Sequence, residues 1–227
     1  NMKIRLWAGI DNASANKLST RGDANSTSGN LTPTTNEKLT IGMVRIDELY
    51  SGDYPAFVNC GNDGKPNPIK AELDLPDPNN SYYRDINFLS SSQFFYTAND
   101  IVKFAAWYPY DESCVYESTA EKTTVKFPIP GDVDVMYGNV STGSQTNGFD
   151  IMTFDHALCV YRIYVYCMHE GVEGSSWGKL ETMTMESLPT SCTITLPKEK
   201  EGAGAKKFTI EYEGKQDIEL SDPNNNI

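Results

Sequence analysis

His156 and His169 are the only imidazoles in the chain, and neither has a second metal ligand at useful spacing. A solitary His at the start of a strand reads as a packed or surface ring rather than as a general base. Asp132 and Asp134 flank Val133, and Asn62-Asp63-Gly64 has the composition of a tight turn. Either group could help hold calcium, yet neither has the spacing of an EF-hand loop, so both read as solvated turns. No Gly-x-Ser-x-Gly, phosphate-binding loop or dinucleotide fingerprint occurs. Gly202-Ala203-Gly204 lies among charges with no helix after it, so it is a loop. Carboxylates are plentiful enough for a glycosidase pair, but they concentrate in turns and on wet strand faces. The chemistry-bearing residues therefore point away from catalysis, and no metal or cofactor is expected.

The cysteines are Cys60, Cys114, Cys159, Cys167 and Cys192, an odd set without the spacing of a zinc knuckle or redox motif. Cys159 and Cys167 sit too far apart along one strand face to be bridged, so buried small hydrophobes are the main reading. A disulfide between two others stays open. Net charge is −12, from 19 basic and 31 acidic residues, and Lys198, Lys200, Lys206 and Lys207 share their stretch with Glu199 and Glu201. Such a surface repels phosphate backbones and anionic lipid, so nucleic acid is not a partner. No run is long or apolar enough to span a membrane, and the chain opens on neither a signal peptide nor a lipobox cysteine. Asn1 ahead of Met2 reads as an expression-derived or a processed terminus, so that absence says little about where the precursor goes.

Arg21 has a different kind of chemistry. It is the only basic residue between Lys17 and Lys38, in a polar segment directly after the first strand. Such a segment is where proteases cut. Arg21-Gly22-Asp23 is also an integrin-type tripeptide, a motif short enough to arise by chance.

The elements that position these residues are strands. Lys3-Ile4-Arg5-Leu6-Trp7-Ala8 alternates and reads as a first strand. Leu39 to Ile46, Ile69 to Leu75, Val102 to Tyr108, Thr123 to Ile129 and Val133 to Tyr137 follow, with a short element at Phe94-Phe95-Tyr96. A long strand covers Phe154 to Tyr166, rich in β-branched and aromatic residues. Lys179 to Met185, Cys192 to Leu196 and Lys207 to Tyr212 come after it. Residues 11–38 and 51–68 read as exposed loops, and the Gly/Ser/Thr/Asn-rich residues 138–149 read as a linker. No segment has convincing helical periodicity, so the expected class is all-β, an antiparallel sandwich. The linker divides the chain into an N-terminal sandwich over 1–149 and a shorter, incomplete C-terminal β domain over 150–227. Leu73-Asp74-Leu75-Pro76-Asp77-Pro78-Asn79-Asn80 is faintly echoed by Ile218-Glu219-Leu220-Ser221-Asp222-Pro223-Asn224-Asn225.

Three ordered motifs then stand out: Phe104-Ala105-Ala106-Trp107-Tyr108-Pro109-Tyr110, Asp134-Val135-Met136-Tyr137-Gly138 and Phe154-Asp155-His156-Ala157-Leu158, followed by Ser187-Leu188-Pro189-Thr190. With these the chain resembles the fimbrillin-like proteins of Bacteroidetes, subunits of type V pili and related surface lipoproteins. The resemblance implies two transthyretin-like sandwiches, export as a lipoprotein, and assembly outside the outer membrane. It further implies that a trypsin-like protease cuts after Arg21. The departing strand would carry Lys3, Ile4, Leu6, Ala8 and Ile10, and a strand from a neighbouring pilin subunit would fill the groove.

The physics of that step does not depend on the family. Loss of an edge strand bares apolar walls and unpaired backbone groups, and a donated strand restores both. The functional expectation is a non-enzymatic fimbrial subunit or adhesin, with neighbouring subunits and a host protein or glycan as partners. The alternative is a monomeric surface binding module, with Tyr82, Tyr83, Trp107 and Tyr110 as candidate sugar-stacking rings, although Trp107 also suits a core.

Overall fold

The computed structural model describes residues 4–10, 38–47, 68–75, 83–89, 93, 95, 100–111, 114–118, 123–130, 134–158, 182–196 and 209–220. These contain thirteen strands, so the expected all-β class holds. Among them no helix is long and apolar enough to cross a membrane.

Seven strands form one closed sheet. They are β1 (Leu6–Ile10), β2 (Leu39–Asp47), β3 (Ile69–Leu73), β4 (Tyr83–Phe88), β5 (Ile101–Tyr108), β8 (Met136–Ser144) and β9 (Met152–His156). Their order around the barrel is β1-β4-β3-β2-β5-β8-β9. All contacts are antiparallel except the last, where β9 runs parallel to β1 and closes the ring. The expected antiparallel sandwich holds as far as its all-β class, while seven of the strands close on themselves. Alternation reports which residues face inward but not which strands are neighbours, and closure removes the free edges that open layers would leave.

A second sheet has the order β12 (Thr209–Glu213), β11 (Ser191–Leu196), β7 (Thr123–Pro128) and β6 (Val115–Ser118), and β10 (Met183–Leu188) pairs with β13 (Gln216–Leu220). β7 pairs with β11, and β8 with β9, so both ladders join strands from either side of residue 149.

Two cores follow from this arrangement. Inside the barrel Ile4, Leu6, Ile41, Met43, Ile69, Leu73, Phe104, Met136, Met152 and Phe154 pack together. Between the barrel wall and the second sheet lie Val44, Ala105, Trp107 and Val140, against Val125, Phe127, Cys192, Ile194 and Leu196. β5 belongs to both: Val102, Phe104 and Ala106 point into the barrel, while Ala105 and Trp107 point out into the second core. Burial on both faces explains why this strand is nearly continuously apolar.

Trp107 fits because β2 offers it a glycine. The Cα partner of Trp107 is Gly42, and a methyl group at that position would overlap the indole. Tyr116 stacks on the indole with ring centroids 5.7 Å apart. Gly42→Ala is therefore expected to destabilise the protein by roughly 1–3 kcal/mol, the usual cost of overpacking. A lowered denaturation midpoint with an unchanged slope would show it.

The linker reading of residues 138–149 is overturned, since residues up to Ser144 belong to β8. Their small size is what the barrel needs. A Cβ on Gly138 would come within 2.8 Å of the Met152 sulfur, and Ser141 is fully buried with its hydroxyl donating to the Asp150 carbonyl. The small side chains make room for large ones on a neighbouring strand, which composition alone reads as a flexible segment.

Candidate functional site

The first strand is the part of the candidate site that falls within the described residues. Ile4, Leu6 and Ala8 are each at most 2% exposed and face the barrel core, while Arg5 and Trp7 face outward, as the alternation predicts. β1 is not an edge, which corrects the expectation above. It pairs with β4 through Leu6↔Ile86, Trp7↔Asp85, Ala8↔Arg84 and Gly9↔Tyr83. On its other side it pairs with β9 through Ala8↔Met152, Gly9↔Thr153 and Ile10↔Phe154. Lys3 and Arg21 lie outside the described residues, and Ile10 is described by its backbone pairing alone.

A buried polar cluster holds the N-terminal end of this strand. The Ile4 amide donates to the Gln93 carbonyl at 2.8 Å. The Gln93 side-chain oxygen accepts from Arg45 Nη1 at 3.0 Å, and Arg45 Nη2 stands 3.9 Å from the carboxylate of Asp100. Arg45 and Asp100 are 3% and 0% exposed, so this is an ion pair enclosed by a largely apolar barrel core. No sequence signal marks it, because Arg45, Gln93 and Asp100 come from separate segments. Arg84 is buried too, and loss of hydration holds its guanidinium below the usual arginine range. It donates to the Asp74 carbonyl at 3.5 Å.

The three sequence motifs occupy adjacent strands. In the β5–β8 ladder Trp107 pairs with Tyr137 and Tyr108 with Met136; in the β8–β9 ladder Met136 pairs with His156 and Gly138 with Phe154. The motifs thus form the wall against which β1 lies. His156 Nδ1 is 3.0 Å from the Asp134 carboxylate, and the Ala157 amide donates to the Val135 carbonyl at 2.7 Å. Two residues read separately as a packed ring and a solvated turn therefore form one clasp between β8 and β9. Among the described residues no group of three His, Cys, Asp or Glu side chains could hold a metal ion. The Ser187-Leu188-Pro189-Thr190 motif joins β10 to β11, where the Gln216 amide donates to Pro189 and Ile129 carbonyls.

The remaining candidates fall away from this site. Trp107 is 1% exposed, and Tyr110 is partly buried with the Lys70 ammonium 5.4 Å from its ring centroid. Tyr82 and the Tyr83 side chain lie outside the description, as do Asn62, Asp63, Asp132 and the long strand beyond Leu158. Cys114 and Cys192 are free thiols, and burial pushes each up to about 11. Cys192 pairs with Phe127 on one side of β7, and Cys114 directly precedes the β6 residue that pairs with Lys126 on the other. That places them two strands apart, about 9–10 Å, beyond the reach of a disulfide.

No curated protein matches the chain. A solved structure of a proposed cell adhesion protein from Bacteroides uniformis ATCC 8492 aligns over 96% of this chain and 73% of its own, with 14% identity and a TM-score of 0.44. A model of the fimbrillin-like proteins matches residues 71–226, well over half of the sequence, and the chain belongs to that family.

Proposed function

We propose that this protein is a structural subunit or adhesin of a type V-like fimbria, exported as a lipoprotein to the outer surface, which assembles by exchange of its first strand. Membership of the fimbrillin-like family supports a fimbrial or adhesive role. The observation that carries the finer reading is the double pairing of β1. Its loss would uncover two backbone ladders, on β4 and β9, together with the barrel core beneath Ile4, Leu6 and Ala8. Unpaired strands flanking an apolar slot are a template for a strand from another chain. Burial of two large aliphatic side chains alone contributes about 2 kcal/mol each, and restored backbone pairing sets register.

Cleavage after Arg21 would free this strand from the rest of the polypeptide. Limited trypsin treatment is expected to cut after Arg21 in preference to Lys17 and Lys38, to release the β1 peptide, and to convert the monomer into larger species. Mass spectrometry of the fragments and size-exclusion chromatography before and after digestion read both steps. A cut protein that stays monomeric and keeps its β1 peptide would leave the monomeric binding-module reading in its place.

A further inference from the structure

The groove has unequal seats. Among the described residues Leu6 has a single Cα partner, Ile86 of β4, because the pairing with β9 begins at Met152. Ala8 has partners on both sides, Arg84 and Met152, and these are two long side chains, each buried. Directly paired residues on one face have Cβ atoms about 4.5–5.5 Å apart, so Arg84 and Met152 flank whatever side chain sits between them. The smallest apolar side chain of the strand stands there, itself 1% exposed. Neither flank can withdraw freely. Arg84 is hydrogen-bonded to the Asp74 carbonyl, and Met152 packs in the barrel core against Gly138, where even a methyl group would collide with it.

We propose that Arg84 and Met152 act as a size filter, so that the groove accepts from a neighbouring subunit only an extended segment with large aliphatic residues at the Ile4 and Leu6 registers and a small residue at the Ala8 register. This partner specificity rests on the strand-exchange reading above. The polarity of the incoming segment follows from the same pairings: to restore both ladders it must run parallel to β9 and antiparallel to β4, as β1 does. Well-packed interiors do not absorb added methylenes without displacing neighbours, so a leucine at the third seat must drive Met152 or Arg84 from its place.

The filter can be tested in the intact chain without any strand exchange. Ala8→Leu is expected to lower the denaturation midpoint, and the same substitution is expected to cost much less in a Met152→Ala background, because the shortened side chain vacates the seat. Equal cost in both backgrounds, or no cost in either, would overturn the filter. A second arm uses trypsin-treated protein and synthetic peptides of residues 3–10. The natural peptide should rebind, the peptide carrying Ala8→Leu should bind about tenfold more weakly or worse, and one carrying Ala8→Gly should stay close to the natural affinity. Coupling between positions 8 and 152 with no binding of any peptide would sink strand exchange and the partner specificity with it, leaving only a packing limit on the chain's own residue 8.

Discussion

Arg45→Met is expected to destabilise the protein by about 3 kcal/mol, more than its conservative shape suggests. The methionine would fit the barrel, but it would leave Asp100, which is fully buried, without the cation 3.9 Å away. Removing one partner of a buried pair keeps the desolvation of the other and loses the compensation, whereas replacing both by apolar residues is often neutral. The double variant Arg45→Met/Asp100→Leu should therefore recover most of the loss. For a chain of this length each kcal/mol moves the thermal midpoint by about 2–4 °C, so the single and double variants are separable by calorimetry. A single variant as stable as the parent would show that the pair contributes nothing. The substitution also reaches the first strand, because Arg45 holds the Gln93 side chain and Gln93 accepts the Ile4 amide. Native-state hydrogen exchange at Ile4 should accelerate in Arg45→Met beyond what global stability explains.

Leu6→Ala has the second large effect, about 2–5 kcal/mol. Leu6 is 2% exposed in the barrel core, opposite Ile86, and its loss leaves a cavity lined by side chains from several strands. Its neighbour supplies the control. Trp7 is larger but points outward and is 40% exposed, so Trp7→Ala should cost far less despite removing more atoms. If strand exchange operates, Leu6→Ala should also hasten release of the first strand after proteolysis, since the peptide then depends more on its backbone pairing. Denaturant titration of the two variants, followed by the rate of peptide release after trypsin, checks both statements. Equal stabilities for Leu6→Ala and Trp7→Ala would contradict the inward assignment of the even-numbered residues.

Much of this was legible from local pattern. The first strand reads from alternation alone, with Ile4, Leu6 and Ala8 on one face. The continuous apolar run of β5 announces a strand covered on both sides, and it is the shared wall of two cores. The all-β class and the family likeness needed only residue types in order, because alternation and turn residues are properties of short segments. β4, β6 and β13 carry no such pattern, since Tyr83-Arg84-Asp85-Ile86-Asn87-Phe88 and its short counterparts mix charges with apolar residues and gain strand geometry from their partners.

What pattern could not supply was neighbourhood. Residues 138–144 look like a flexible connector until Met152 and Phe154 are placed over Gly138 and the Ser141 hydroxyl meets the Asp150 carbonyl. Arg45, Gln93 and Asp100 are unremarkable polar residues until the barrel encloses them in one cluster. The parallel contact of β1 with β9 turns an expected margin into an interior strand held by two ladders. Side-chain periodicity along a strand records how much of each face is covered. Hydrogen bonding between strands distant in sequence is chosen by the whole chain at once, and only that choice placed Arg84 and Met152 on either side of Ala8.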